Sequence, residues 1–480
     1  MKTERPHAMW VTLTLVAAGI ATEAIADDLL IREVTVISAH ETAAQGPSDV
    51  LIRDGRIARI GDDLEAGGAT VIEGGGRFLT PGLMDAHHHV SFAPGLGALG
   101  YGVSRELPEL SALYIRQQPR SLLYHGVTQI VDPSPLDSWP AFESTELRPD
   151  LFRCGEIPNP GGYPMNQMPW ERIEDAFAYR LDDESPESVV RRIAADGGIC
   201  VKLYIEDGFG DSTSWPLLDD ETVGRIRKTA HELDLLLYAH ANAIDMHRVA
   251  LRNRVDVIGH GLWNWQWPDD PENPPVTETL DRLRSSRTGF VPTHRVMAGI
   301  AGELRSSTLE NPAFVDVVPT KLLDWYRSDQ TRPFTEELIA DFPPGMGRDE
   351  IAGILESGHR RAQRSTAYLA EKDYPLLLGS DCPGSLTIAN QPGLCTLQEM
   401  RSMAEAGVSL PQILAAATIN NAERFGLADD YGTVEVGKIA NLLLLSADPL
   451  EDVEAWNRID TIILHGRAHD RASFSARRDD

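Results

Sequence analysis

The sequence predicts an α/β protein: a (β/α)8 TIM-like barrel with a small β-sandwich domain built from both chain ends. Two observations predict it. Short apolar runs alternate with amphipathic helical stretches through the middle of the chain, and strand-like runs lie near both ends. An open, doubly wound sheet is the alternative for the middle. It would place a Gly-rich phosphate-binding turn after an early strand, and no G-x-G-x-x-G follows one here.

Residues 1–26 have the pattern of a secretory signal peptide. Lys2 and Arg5 give a positively charged start, residues 9–21 are mostly apolar, and residues 24–26 (AIA) form a small-x-small cleavage site. The apolar run is too short to span a bilayer, although an uncleaved anchor is the alternative interpretation. We therefore expect a periplasmic or secreted protein.

Residues 27–80 and 426–480 are predicted to form the small β domain. The runs LLIREVTVI and VLIRDGRIARIG alternate apolar and polar residues, and Asp54-Gly55 in the second run is a hairpin signal. GTVEVGKIANLLLLS and DTIILHGRA, near the other end, also read as strands with turns. Neither segment is long enough for a large core of its own, so we expect one domain assembled from both.

Residues 81–425 are predicted to form the barrel. Apolar runs such as VTQIVD, CVKLYIE, LLLYAHA, VDVIGHG and YPLLLGSD recur about eight times, which is enough to close a barrel. Inserts at 91–118 and 296–350 follow the first and seventh strands, where loops usually lie over the active face. Surface decoration is the alternative for the second insert.

The charge of the chain excludes some classes of partner. There are 44 Lys+Arg against 72 Asp+Glu, a formal net charge of −28. Nucleic acids and anionic membranes require basic surface, so we expect neither, beyond the membrane passage that export implies. A small-molecule substrate is expected, and a homo-oligomer is left open.

Four cysteines allow three disulfide pairings in an oxidising compartment. They are scattered along the chain, at Cys154, Cys200, Cys382 and Cys395. This scatter does not resemble a small disulfide-stapled scaffold. Buried thiols in a large core are therefore the favoured interpretation.

The stretch PGLMDAHHHV places three histidines at the end of an apolar run. Side chains two residues apart share a face of a strand, so His87 and His89 point the same way as Asp85, and His88 points away. Two imidazoles on one face can bind a single metal ion. The pattern therefore predicts His87 and His89 as metal ligands.

Further polar residues end other apolar strands, where barrel enzymes hold their catalytic groups. They are Lys202, His240, His260 and Asp381. Each alone has a structural interpretation, as a hydrogen-bonded histidine, a snorkelling lysine or a helix-capping aspartate. Their shared position and their nitrogen and carboxylate donors together suit a zinc site.

These motifs resemble the amidohydrolase superfamily of metal-dependent hydrolases. FLTPGLMDAHHHV is similar to its first-strand motif, YAHA and IGHG to its fifth- and sixth-strand histidines, and GSD to its eighth-strand aspartate. AAATINNAERFGLADDYGTVEVGKIANLLLL resembles the segment that returns to the β domain. The resemblance covers nearly all of the mature chain and is specific for fold rather than substrate.

The resemblance implies two divalent metal ions, expected to be zinc. Lys202 is similar to the fourth-strand lysine whose carboxylated form bridges both ions in the family, and burial beside cations would supply the neutral amine that carboxylation needs. The implied first site contains His87, His89, Lys202 and Asp381, and the implied second site contains Lys202, His240 and His260. The closest likeness is to prolidase-like and imidazolonepropionase-like enzymes. Their fifth-strand motif often reads His-Ala-His, whereas Asn242 stands here in place of the second histidine.

The predicted reaction is hydrolysis of a C–N bond in an amide, dipeptide or cyclic amide by a metal-bridged hydroxide. Asp381 is predicted to move the proton, and His294 to steady the oxyanion, with a structural role for His294 equally open. Weaker candidates for substrate contact are Tyr204, Asn242, Arg295 and Trp263. The alternatives are a lactonase, esterase or phosphotriesterase-like hydrolase using the same metals, and a non-catalytic secreted metal-binding protein.

Overall fold

The computed structural model describes residues 28–39, 45–167, 173–182, 184–210, 214–264, 274–305, 308–340, 342–384 and 387–479. The predicted signal peptide, residues 1–26, lies outside the described residues. Among the helices of the described ranges, none combines the length and the apolar character that a bilayer crossing requires. Every residue that the sequence nominates for the site is within these ranges.

Strands lie near both ends of the chain, and strands and helices alternate between them. In chain order the strands are β1 (Leu29–Val36), β2 (Gln45–Arg53), β3 (Arg56–Gly61), β4 (Thr70–Glu73), β5 (Phe78–Pro81), β6 (Leu83–Asp85), β7 (Phe92–Ala93), β8 (Gly97–Ala98), β9 (Val127–Asp132), β10 (Asp150–Ile157), β11 (Cys200–Tyr204), β12 (Leu236–His240), β13 (Val257–Gly259), β14 (Gly289–Val291), β15 (Leu442–Leu445), β16 (Ile459–Leu464) and β17 (Arg467–Asp470).

The α-helices are, in the same order, α1 (Gly102–Glu106), α2 (Pro108–Tyr124), α3 (Trp139–Glu143), α4 (Pro186–Ala195), α5 (Asp220–Glu232), α6 (Ile244–Arg252), α7 (Pro274–Ser286), α8 (Arg295–Glu303), α9 (Phe314–Val317), α10 (Thr320–Tyr326), α11 (Arg332–Ala340), α12 (Arg348–Ala370), α13 (Leu394–Glu405), α14 (Leu410–Ala416) and α15 (Ile419–Arg424). Short 3-10 helices lie at Met165–Gln167, Ile173–Ala176, Thr308–Glu310, Asp329–Thr331, Val453–Asn457, Arg471–Phe474 and Ala476–Asp479.

Strands from both ends of the chain form one sheet. Its order is β17-β16-β15-β5-β1-β2-β3, with β4 paired to β1, so that β15 joins the late strands to the early ones through β5. Alternate residues of these strands, among them Ile31, Leu79 and Leu442, pack in a shared apolar core. The eight strands belong to a single hydrogen-bonded sheet, and a sandwich of two sheets is not confirmed.

The predicted hairpin turn is present between β2 and β3. Asp54 and Gly55 both have positive φ, 48° and 75°, and Arg53 pairs with Arg56 across the two-residue turn. Asp tolerates this left-handed conformation and Gly adopts it freely, which explains why the pair marks a tight hairpin.

Seven short parallel strands form the centre of the molecule, in the order β14-β13-β12-β11-β10-β9-β6. The extended segment 376–381 lies between β14 and β6. Its backbone bonds on both sides are Leu377 N–H to Phe290 O, Ala86 N–H to Leu378 O, and Asp381 N–H to His87 O. This segment takes the place of the predicted eighth strand and closes a TIM-like barrel.

The outer helices bury one face against this barrel. In α5 the buried residues Val223, Ile226 and Ala230 recur at spacings of three and four, which is the period of one helix face. The Asp219 side chain accepts the Thr222 backbone N–H at 2.7 Å and so caps the start of α5. Replacing fully buried Ile226 by Ala would cost about 2–5 kcal/mol.

The two long inserts, 91–118 and 296–350, pack against each other. Their shared apolar cluster includes Leu96 and Tyr114 from the first insert and Phe314 and Trp325 from the second. The Tyr326 hydroxyl donates to the Pro94 carbonyl at 2.9 Å. The second insert is therefore part of a buried core that the two inserts share.

The cysteines form two disulfides, Cys154–Cys200 and Cys382–Cys395. The interpretation of four buried thiols is wrong. Cys154 and Cys200 are paired positions of the neighbouring strands β10 and β11, while Cys382 follows the barrel-closing segment and Cys395 lies in the first turn of α13. The fold, rather than the spacing in the sequence, brings each pair together.

Candidate active site

Three of the predicted ligands meet around the carboxylate of a fourth, Asp381. Its Oδ1 atom lies 2.8 Å from Nε2 of His89 and 3.2 Å from Nε2 of His87. Its Oδ2 atom lies 3.1 Å from Nδ1 of His260. Donor atoms of His87, His89 and Asp381 all lie within 4.8 Å of one another, a spacing that one metal ion can bridge.

The other two predicted ligands lie beside this group. The imidazole centroids of His240 and His260 are 4.3 Å apart. Lys202 is buried, with its Nζ atom 4.5 Å from the centre of the Tyr238 ring, and its charge acts on the pKa of His87, His240 and His260. The structure thus brings together all six residues that the sequence nominated as ligands.

Burial controls the protonation of the histidines. Desolvation lowers the pKa of His260 to about 3, and it also lowers the pKa values of His87 and His240. A neutral imidazole has the lone pair that a metal requires. These three imidazoles are therefore in the neutral form that a metal ion requires of a ligand.

His89 and Asp381 form a charged pair. Burial by itself would lower the pKa of His89, but hydrogen bonds with Asp132 and Asp381 outweigh it and raise that pKa to about 9. Burial would raise the pKa of Asp381, but the nearby His87 and His260 hold it well below its usual value. Because metal ligands must be deprotonated, a bound cation would replace the proton between these two groups.

Lys202 meets the physical requirement for carboxylation. Desolvation lowers its pKa to about 8, although Asp381, Glu156 and Asp132 partly oppose that shift. More neutral amine is then present at pH 7 than for an exposed lysine. The donor set of imidazole nitrogens, a carboxylate and this amine fits divalent zinc.

Contacts with neighbouring side chains orient the first two histidines, which follow the end of β6. His87 Nδ1 lies 2.9 Å from the Tyr238 hydroxyl, and His89 Nδ1 lies 3.4 Å from Oδ1 of Asp132, which leaves both Nε2 atoms facing Asp381. Asp85, expected on the same face, has a different role. Its carboxylate accepts the backbone N–H groups of His87 and Ser380 and the hydroxyl of Thr396, and so ties β6 to the closing segment.

Buried acids that sequence reasoning missed surround the cluster. Asp132 ends β9 and accepts the Val90 N–H at 2.9 Å. Glu156, on β10, accepts hydrogen bonds from Ser134 and Tyr204, and desolvation raises its pKa to about 7. Glu206 lies two residues beyond β11, 3.3 Å from His240. The signal for Asp132 and Glu206 was the one used for the ligands, an acid at the end of an apolar run.

His294 and Arg295 contact residues outside the cluster. His294 Nε2 is 2.9 Å from the hydroxyl of Thr366, and the backbone N–H groups of His294 and Arg295 donate to Glu399 at 2.9 Å. Arg295 also donates to Asn390 at 3.1 Å. These contacts anchor the start of α8 to α12 and α13, so the oxyanion role of His294 stays a prediction.

The other three candidates for substrate contact lie next to the cluster. The Tyr204 hydroxyl is 2.7 Å from that of Ser134, Asn242 Nδ2 is 3.5 Å from His240 Nε2, and the Trp263 ring is 5.2 Å from the His260 ring. Polar groups thus lie on the Tyr204 side, while an aromatic ring lies beside His260.

An aromatic patch, defined here as Tyr163, Phe209 and Trp215, lies over His240. The Tyr163 ring is 4.9 Å from the His240 ring and is stacked at 10° on Trp215, 6.1 Å away. Phe209 is 37% exposed, and its backbone has a left-handed φ of 55°. Such a conformation is uncommon for a bulky residue and is often found at functional sites.

Part of the chain is similar to known proteins. Residues 355–468 match the Amidohydrolase family profile. Adenine deaminase of Moorella thermoacetica is 25% identical over 473 residues, covering 97% of this chain and 61% of that protein. Imidazolonepropionase of Cupriavidus necator is 25% identical over 152 residues, covering 29% of this chain and 36% of that protein. The chain therefore spans less than two thirds of either relative.

The fold has a close structural counterpart. A crystal structure of a Xaa-Pro dipeptidase with bound methionine in the active site superposes with a TM-score of 0.63 at 18% identity, covering 92% of this chain and 100% of that one. The similarity of fold thus extends across the barrel and the β domain. Residues 355–468 are thus similar to the amidohydrolase family in sequence, and the described chain is similar to the dipeptidase in fold.

Proposed function

We propose that the protein is a metal-dependent hydrolase that cleaves a C–N bond in an amide, a dipeptide or a cyclic amide. The observation that carries the proposal is the convergence of His87, His89 and His260 on the buried carboxylate of Asp381. The similarity to imidazolonepropionase and to a Xaa-Pro dipeptidase supports this class of substrate.

Two divalent ions, expected to be zinc, would be held in two adjoining sites. The first would use His87, His89, Lys202 and Asp381, and the second Lys202, His240 and His260, with Lys202 carboxylated and shared. When bound, such ions polarise a carbonyl group and bring the pKa of a water molecule near 7. The buried, neutral histidines and the lowered pKa of Lys202 support this assignment.

Asp381 is the residue that we assign to proton transfer. Its carboxylate lies against three of the predicted ligands, where it could accept a proton from the attacking water. The same carboxylate can then deliver that proton to the leaving nitrogen.

The walls of the site would position the substrate. On one side, the Tyr204 hydroxyl and the buried carboxyl of Glu156 offer hydrogen-bonding groups to the polar part of an amide. On the other side, Trp263 and the aromatic patch offer apolar surface beside His260 and His240. A substrate with both an amide and an apolar group matches this pair of walls.

We also propose that the protein is exported. The charged and apolar pattern of residues 1–26 supports cleavage by a signal peptidase. The two disulfides also support a periplasmic or secreted location, since disulfides persist in oxidising compartments.

A substrate panel tests the proposed reaction. Purified protein with zinc and bicarbonate would be assayed against dipeptides, N-acyl amino acids, cyclic amides, lactones and aryl esters. Hydrolysis of a C–N substrate with a kcat/KM above that for every ester is the expected result. Turnover confined to lactones or esters would contradict it and favour the other acyl leaving group.

A further inference from the structure

Glu206 is a buried acid that the proposed reaction leaves without a role. Its side chain is fully buried, and Oε2 lies 3.3 Å from Nε2 of His240. Oε1 accepts the backbone N–H groups of Gly208, at 3.1 Å, and Phe209. Among the described residues, His240 is the ion-pair partner of this carboxylate.

The surroundings of His240 decide which ring nitrogen carries the proton. A carboxylate beside Nε2 can only accept, so Nε2 must be the N–H that donates. Asn242 offers Nε2 no acceptor, because its amide oxygen accepts from Asn264 at 3.3 Å and its amide nitrogen lies 3.5 Å from Nε2, at the outer limit of a hydrogen bond. Glu206 is therefore the acceptor available to Nε2–H.

We propose that Glu206 is a positioning residue that holds His240 in its Nε2–H form and makes Nδ1 the atom that binds metal. A neutral histidine has one lone pair, and a hydrogen bond from one nitrogen directs the other to the ion. This inference rests on the proposed metal site.

The same carboxylate also holds the turn that carries the aromatic patch. Through Oε1 it fixes the backbone of Phe209, whose ring lies 6.1 Å from that of His240. One buried side chain thus sets both a predicted metal ligand and the aromatic surface above it.

Glutamine is the informative replacement. Glu206→Gln keeps the size of the side chain but has one accepting oxygen, whereas Glu206 accepts from His240 on one side and from two backbone N–H groups on the other. In one orientation the NH2 of the glutamine amide would face Nε2–H of His240, and in the other it would face the backbone N–H groups of Gly208 and Phe209. Asp207→Asn is the matched control, because Asp207 is the adjacent acid, is partly exposed, and lies outside the cluster.

Metal affinity provides the first test. In chelator competition with zinc-loaded protein, Glu206→Gln should bind one of its two ions about 10–100-fold more weakly, as is typical when an orienting partner is lost. Asp207→Asn should match the wild type. Equal affinity for both ions in a folded Glu206→Gln protein would overturn the inference, whereas a wild-type protein that binds no zinc would instead reject the proposed function.

Histidine NMR provides the second test, which depends neither on the Glu206→Gln variant nor on activity. In ¹⁵N-histidine-labelled wild-type protein, with and without zinc, the His240 signals would be assigned by their loss in His240→Gln. The expected spectrum has the proton on Nε2. A proton on Nδ1 in wild-type protein would overturn the inference even if Glu206→Gln failed to fold.

Discussion

Cys382, which directly follows Asp381 in the chain, is disulfide-bonded to Cys395. The carbonyl of Cys382 accepts the His89 N–H at 2.7 Å, so the same residue contacts one predicted ligand and directly follows another. The disulfide joins this end of the barrel-closing segment to the first turn of α13. It therefore restrains the backbone that carries Asp381.

Breaking this disulfide should affect the metal site. Cys395→Ser is expected to lower stability by about 2–4 kcal/mol, because the unfolded chain gains entropy once the cross-link no longer closes the loop between residues 382 and 395. It should also reduce the zinc content. Thermal melting and elemental analysis would measure the two effects. Cys154→Ser, which breaks the other disulfide, should lower the melting temperature but leave the zinc content unchanged. Equal zinc loss in both variants would contradict the local role of Cys382–Cys395.

Asp381 should matter more for turnover than for the fold. Asp381→Asn removes the basic carboxylate but keeps its shape, so kcat should fall by about 10²–10⁴-fold, the range for a general acid–base group. Steady-state kinetics and zinc analysis of the same preparation would separate this loss from loss of metal. An unchanged kcat would dismiss Asp381 as the proton carrier.

The role proposed for carboxylated Lys202 should be replaceable only by a carboxylate from another source. Lys202→Ala is expected to abolish turnover, since it removes the predicted bridge between the ions, and a short carboxylic acid supplied in solution should restore part of the activity. The measurement is the rate with and without the acid, at fixed zinc. Full activity of Lys202→Ala without any added acid would reject the shared carbamate.

His465, in the turn between β16 and β17, should make a pH-dependent contribution to the stability of the fold. The Asp150 carboxylate, 2.9 Å from His465 Nε2, raises the pKa of His465, against smaller opposing effects of burial, Arg148 and Arg467. A raised folded-state pKa stabilises the fold fully below the unfolded value of about 6.5, and this stabilisation is lost as pH rises through the folded value.

His465→Asn is the suitable variant, because residue 465 has a left-handed φ of 48° that Asn tolerates. It should lower the melting temperature more at pH 5.5 than at pH 9, with a difference below about 1 kcal/mol because the side chain is half exposed. A larger loss at pH 9 would reverse the assigned sign.

The convergence of histidines and Asp381 could be predicted from the sequence because these residues end apolar strands. His87, His89, His240, His260 and Asp381 follow that rule, and the barrel brings strand ends to one edge. The same rule did not separate His294, which also follows a strand, β14. There the chain turns directly into α8, and the His294 ring lies 2.9 Å from the hydroxyl of Thr366 in α12.

Contacts between distant segments could not be predicted from the sequence. Glu156 is recognisable only once β9, β10 and β11 lie side by side and bring Ser134 and Tyr204 to its carboxylate. The disulfides follow the same logic, since Cys154 and Cys200 become neighbours through the strand register. Local pattern indicates which residues end a strand, but pairing register decides which of them touch.

The order of strands in the β domain has a consequence for synthesis. β5 hydrogen-bonds to β15, which leaves the ribosome several hundred residues later, a delay on the order of tens of seconds at ordinary translation rates. During that time one side of β5 has no native neighbour on the nascent chain, and an open strand side of this kind can pair with another polypeptide. Early termination anywhere before residue 442 would make that vulnerability permanent, so we expect shortened chains to aggregate rather than to accumulate as partly active enzyme.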